Sequence, residues 1–93
     1  MLRRDPEHFK ALTQMGILHL DREEFDKSAK FLHKALKANS KFPLALVSMG
    51  NLLFETGNPS DAIKYHHQAL RYNERELQAL IGLGNCYYDT GKP

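Results

Sequence analysis

Apolar residues recur at three- and four-residue steps along most of the chain, with polar residues between them. This spacing joins Leu46, Met49 and Leu53, which places the three side chains on one face of a helix. Gly57 then favours the left-handed backbone at a helix end, and Asn58-Pro59 suits the start of a second helix. No stretch alternates long enough to predict a β-strand. The pattern therefore predicts an all-α protein built from helices joined by short turns.

The helical pattern repeats at one fixed offset along the chain. Met15-Gly16, Met49-Gly50 and Leu83-Gly84 are equally spaced, and Glu55-Thr56-Gly57 lies at the same offset from Asp89-Thr90-Gly91. Further matches fall at Ala11, Ala45 and Ala79, and at Leu12, Leu46 and Leu80. A fixed period over the whole chain is the signature of a repeat architecture. The predicted helices are 7–21, 24–38, 43–56, 59–72 and 76–90.

The repeat period divides the chain into units of one helical hairpin each. Residues 9–42 are the first unit and residues 43–76 the second, whereas residues 77–93 supply only the first helix of a third. Residues 1–8 are interpreted as the tail of a preceding repeat. We therefore expect the chain to be a fragment of a longer array.

Glycines recur inside the first helix of each unit, where glycine costs about 1 kcal/mol against alanine. Gly16, Gly50 and Gly84 lie on or beside the apolar face, so we expect them to let the paired helix approach closely. Ala35 and Ala69 are the small residues expected opposite them.

These spacings resemble the consensus of the tetratricopeptide repeat (TPR) family. The first unit matches it at Leu12, Gly16, Ser28, Leu32 and Ala35. The second matches at Leu46, Gly50, Leu53, Ala62, His66 and Ala69, and the third at Leu80, Leu83, Gly84, Tyr87 and Tyr88. Leu32 and His66 stand where the second helix usually carries an aromatic residue. The resemblance implies a solenoid of about two and a half antiparallel hairpins that acts as a protein-interaction scaffold.

The resemblance also implies a concave groove, lined by the first helices, that receives a peptide or helix of a partner protein. The residues expected to line it are Lys10, Thr13, Gln14, Ile17, Leu44, Val47, Ser48, Asn51, Glu55, Gln78, Ile81, Asn85 and Asp89. An asparagine amide both donates and accepts hydrogen bonds, so Asn51 and Asn85 suit an extended peptide backbone. The alternative for this pair is a local structural role.

One alternative function stays open beside this one. The chain could be a substrate-recruiting or regulatory arm of a larger enzyme whose catalytic domain lies outside it.

Some TPR proteins bind the C-terminal carboxylate of chaperones with cationic side chains. The positions that match this carboxylate clamp hold Thr13, Ile17, Ser48, Gln78 and Gly82, none of which is a cation. Chaperone binding through a carboxylate clamp is therefore not expected.

Composition narrows the expected location. The net charge of +2 and the charged fraction of 26% describe an ordinary surface, and no segment is long and apolar enough to span a bilayer. The N-terminus lacks the apolar stretch of a secretory signal. The lone Cys86 cannot form an internal disulfide, which suits a reducing compartment. We expect the protein to be intracellular, with the cytoplasm as its location and the nucleus as the alternative. We do not expect it to bind membranes.

Neither catalysis nor metal binding is expected. For catalysis, no nucleophile, base and acid fall at a recognisable spacing. His66 and His67 point about 100° apart on a helix, and His8, His19 and His33 have no partners at zinc-motif spacing. His19 and His66 fall on packing faces, which predicts positions at the edge of the core. No catalytic residue, metal or cofactor is predicted.

The sequence also predicts two surface features outside the groove, a lysine stripe and an uncovered last helix. The lysines lie along one second helix, at Lys27, Lys30, Lys34, Lys37 and Lys41. Nucleic-acid binding would require more net charge and exposed aromatic residues, so the stripe is interpreted as solvated surface. The last helix lacks a hairpin partner, and we expect the fragment to self-associate through Leu80, Leu83 and Tyr87. The alternative is that this helix simply caps the preceding hairpin.

Overall fold

The computed structural model describes residues 8–91, and over this range the chain forms five α-helices without a strand. The helices are α1 (His8–Asp21), α2 (Phe25–Ala38), α3 (Pro43–Glu55), α4 (Pro59–Tyr72) and α5 (Leu77–Thr90). Each bound lies within one residue of the predicted one, and the all-α prediction is confirmed. The predicted tail lies outside the described residues, except that residue 8 already begins α1. None of these helices is long and apolar enough to cross a membrane.

The helices pack in two layers. Turns of three or four residues make consecutive helices antiparallel, so that α1 pairs with α2 and α3 pairs with α4. The first helices α1, α3 and α5 also contact one another in succession, whereas no Cα atom of α2 lies within 8 Å of one in α4 over the described residues. Closer packing in one layer curves the stack toward that layer. The first helices therefore line its concave side.

A left-handed residue follows each of the first helices α1, α3 and α5 at one repeat position. Gly57 has φ 85° and Gly91 has φ 73°, and Glu23, which lies one repeat period before Gly57, has φ 59°. A residue with a Cβ atom is strained in this conformation by roughly 1–2 kcal/mol, whereas glycine is not. The turn of the first hairpin thus has the same left-handed backbone as that of the second, although it carries Glu23 in place of glycine. Asn58 precedes α4 as predicted, but its side chain donates to the Thr56 carbonyl and does not cap the helix.

The core lies between the layers and crosses the boundaries between units. One buried cluster joins α3, α4 and α5, and a second joins α2 and α3. Their members are Leu46, Val47, Ala69 and Ala79 in the first, and Leu32, Met49 and Leu52 in the second. Each unit therefore buries part of its apolar surface on its neighbour, as in other repeat proteins.

Two of the repeated glycines make room for a large side chain from the second helix of the same hairpin. A Cβ atom added to Gly16 would lie 2.6 Å from the Leu32 side chain, and one added to Gly50 would lie 2.6 Å from the His66 ring. Contact at such distances requires a neighbouring atom to move. The close-approach prediction is confirmed at these two positions.

The predicted partners of the glycines were wrong. Ala35 and Ala69 are buried, but each lies three residues beyond the large side chain that faces the glycine. The atoms nearest to each glycine therefore belong to a bulky residue. At Gly84 an added Cβ atom would have nothing within 4 Å among the described residues, so the close approach predicted there is not seen.

Candidate partner-binding groove

The candidate groove follows the exposed side of the three first helices. Ten of the thirteen predicted residues are exposed or half-buried there, and they are Lys10, Gln14, Ile17, Leu44, Asn51, Glu55, Gln78, Ile81, Asn85 and Asp89. Because α1, α3 and α5 contact in succession, residues from all three helices belong to one continuous surface. A partner could therefore contact three units at once.

Three predicted groove residues are buried and cannot reach a partner. Thr13 and Val47 are 0% and 2% exposed, whereas Ile81, at the same repeat position, is 51% exposed. The difference arises because a following first helix covers Thr13 and Val47, and no described helix follows α5. The Thr13 hydroxyl donates to the Phe9 carbonyl oxygen at 2.7 Å. Ser48 is also buried, at the repeat position where Gly82 packs against the preceding second helix.

Asn51 and Asn85 occupy the same repeat position on α3 and α5, which contact each other. Asn51 is half-buried and Asn85 is exposed. Within residues 8–91 neither side-chain amide makes a hydrogen bond. The structure therefore gives them no local bonding role, and both amides are open to a ligand.

An acidic row borders the groove, and sequence reasoning found only part of it. Glu55 and Asp89 were predicted groove residues, and Asp21 occupies the same repeat position on α1. Applying the repeat period to the predicted pair would have found Asp21. All three are exposed near helix C-termini, and none forms an ion pair with another described residue. A negative charge is unfavourable at that end of a helix, so helix stability does not explain the row.

His19 is tied to the end of its own hairpin. Its Nδ1 lies 2.7 Å from Oε1 of Glu24, and its ring stacks on Phe31 with the centroids 5.3 Å apart. The hydrogen bond from His19 holds the pKa of the Glu24 carboxyl below its ordinary value. The pair links the last turn of α1 to the residue before α2, which indicates a structural role for His19.

The described residues contain no group of three His, Cys, Asp or Glu side chains that could hold a metal ion. Cys86 is fully buried, and burial raises the pKa of its thiol, which disfavours the reactive thiolate.

The lysine stripe is exposed along its whole length. Lys34 and Lys41 lie 6.0 Å from the ring centroids of Phe31 and Tyr72.

The apolar face of α5 differs from the predicted association surface. Leu83 is only 7% exposed, as is Met49, at 2%, at the same repeat position. The expectation that Leu83 lies open on the surface was therefore wrong, and self-association stays a prediction. Leu80 is half-exposed as expected, and Ile81 and Tyr88 add exposed surface that the prediction missed.

Antiparallel hairpins that recur at a fixed period, with first helices in contact, define a helical-repeat protein. A sequence model of the family described as Tetratricopeptide repeat matches residues 13–65 and again residues 47–93, and the two matches begin one repeat period apart. Together they cover most of the chain, which belongs to the tetratricopeptide repeat family. Proteins of this family are generally protein-interaction modules and typically non-catalytic. None of the curated proteins compared with the chain matches it.

Proposed function

We propose that the chain is a non-catalytic scaffold inside the cell that binds a peptide or helix of a partner protein along the groove. The observation that carries the proposal is the pair of free amides, Asn51 and Asn85, at one repeat position on adjacent helices. An amide presents a donor and an acceptor together, which matches the N–H and C=O groups of a peptide backbone.

The spacing of the two amides suits an extended ligand. Helices in contact lie about 8–10 Å apart, and an extended chain advances about 3.3 Å per residue. Asn51 and Asn85 would therefore meet peptide groups about three residues apart. The acidic row beside them (Asp21, Glu55 and Asp89) favours a ligand with basic side chains.

A displayed peptide library supplies ligands for the test. Peptides enriched on the immobilised chain are measured by calorimetry against the wild type, Asn51→Ala and Asn85→Ala. Gln68→Ala is the matched control, because it removes an exposed amide from α4, outside the groove. Each asparagine variant is expected to weaken binding about tenfold, the value of one hydrogen bond of roughly 1.4 kcal/mol, and the control to leave it unchanged.

The enriched peptides also test the acidic row. They are expected to carry lysine or arginine and to bind more weakly as salt is added. Unchanged affinity in the Asn51→Ala/Asn85→Ala double variant, with its circular dichroism spectrum intact, would place the binding site elsewhere.

A further inference from the structure

His66 is enclosed between two helices that both lack a side chain opposite it. The His66 residue is fully buried, and neither Nδ1 nor Nε2 has a hydrogen-bond partner among the described residues. A Cβ atom on Gly50 of α3 would lie 2.6 Å from Nε2, and one on Gly82 of α5 would lie closer still. The ring therefore fills the joint between the second hairpin and α5, and its polar atoms remain unsatisfied there.

The first joint between units is built differently at the same position. Leu32 lies one repeat period before His66, is also fully buried and faces Gly16 as His66 faces Gly50. Leucine carries no ionisable group. At this repeat position, of the two joints among the described residues, the second carries a residue whose charge changes near neutral pH and the first does not.

No carboxylate is placed to stabilise a charged His66. The only ionisable side chain of α3 is Glu55, which is exposed at its last residue. On α5, Cys86 lies one turn beyond Gly82, and the Tyr87 hydroxyl lies 3.2 Å from Nε2 of His67. Asp89, two turns beyond Gly82, is exposed, and its charge raises the pKa of Cys86 but does not act on His66. Burial lowers the pKa of His66, and the neighbouring His67 lowers it further.

We propose that protonation of His66 releases α5 from the second hairpin while α1 to α4 stay folded. Over the described residues α5 contacts only α3 and α4, whereas α3 is also held by α1 and α2. A charged ring without a counter-ion is unstable in the joint and stable in water. Release of α5 hydrates the ring and, among the openings that would expose His66, breaks the fewest contacts between the described helices.

The sign of the effect follows from proton binding. In the released state the ring is hydrated and its pKa is near 6.5, whereas the docked ring has a lower pKa. The released state therefore binds more protons, so docking weakens as the pH falls below about 6.5 and levels off below the docked pKa. If the docked ring stays neutral, the equilibrium constant for release rises about 30-fold between pH 8 and pH 5.

Cys86 reports the release directly. It is the only cysteine of the chain, it lies on α5, and it is fully buried while α5 is docked. A pyridyl disulfide reacts with thiols in mild acid and measures the fraction of time that Cys86 is accessible. The rate is divided by that of the urea-unfolded chain at the same pH, which removes the effect of thiol ionisation.

The normalised labelling rate of the wild type is expected to rise by up to about 30-fold from pH 8 to pH 5. His66→Leu, which copies the first joint, is expected to abolish the rise. His33→Leu, which removes an exposed histidine from α2, is expected to retain it. An equal rise in the wild type and His66→Leu would overturn the proposal, and so would a wild-type rate that does not change with pH.

Hydrogen exchange of the wild type provides a second test that needs no variant. After correction for intrinsic rates, amides of α5 are expected to lose protection at pH 5 while those of α1 to α4 keep it. Equal loss in all five helices would show global unfolding and contradict release of α5. Neither assay contains a ligand, so both outcomes are independent of binding in the groove.

Discussion

Gly50 and Gly84 occupy one repeat position, yet alanine is expected to have opposite effects at the two sites. At both sites alanine gains about 1 kcal/mol of helix propensity over glycine. At Gly84 an added Cβ atom has nothing within 4 Å among the described residues. Gly84→Ala should therefore stabilise the chain by about 0.5–1 kcal/mol.

At Gly50 the added Cβ atom meets the His66 ring at 2.6 Å. The ring has no room to move toward α5, because Gly82 packs as closely against the same ring atoms, Nε2 and Cε1. Overpacking a tight contact costs about 1–3 kcal/mol, which exceeds the gain in propensity. Gly50→Ala should therefore destabilise the chain by up to about 2 kcal/mol.

Urea denaturation at pH 8, followed by circular dichroism at 222 nm, measures both variants against the wild type. The midpoint should rise for Gly84→Ala and fall for Gly50→Ala. In a His66→Ala background the clash is gone, so Gly50→Ala should become stabilising. A Gly50→Ala midpoint that rises as much as that of Gly84→Ala would refute the close contact with His66.

Three further predictions concern single positions. Glu23→Gly should stabilise the chain by about 1 kcal/mol, because glycine removes the strain at φ 59°, and an unchanged urea midpoint would contradict that strain. Ser28→Ala should cost about 1 kcal/mol, since the buried Ser28 hydroxyl donates to the Gly16 carbonyl at 2.8 Å, and thermal unfolding checks it. The chain should self-associate through α5, and sedimentation equilibrium measures this. Leu80→Glu should abolish the association. A wild-type mass that stays monomeric at every concentration would refute it.

The helices were predictable because the signals that set them are local. Apolar spacing, Gly57 and Pro59 act within a few residues, and the bounds of α3 and α4 followed from them. The repeat period then extended the same interpretation to the first hairpin, although Glu23 replaces glycine in its turn.

Burial in the groove was not predictable from one unit, because a neighbouring unit decides it. Thr13, Val47 and Ile81 occupy the same repeat position in successive units, yet only Ile81 is exposed. The role of Gly82 was hidden for a related reason. A residue without a side chain adds nothing to an apolar pattern, and its contact with His66 exists only when α5 is docked.

The fit between His66 and Gly82 limits how the units could be rearranged. Ser48 occupies the position of Gly82 in the second unit. If residues 43–76 were duplicated in tandem, the copied Ser48 would face His66 of the preceding unit, where any Cβ atom meets the ring. A functional duplication would need Ser48→Gly in the copy. The units of this array are thus not interchangeable modules, and recombination must exchange positions 66 and 82 together.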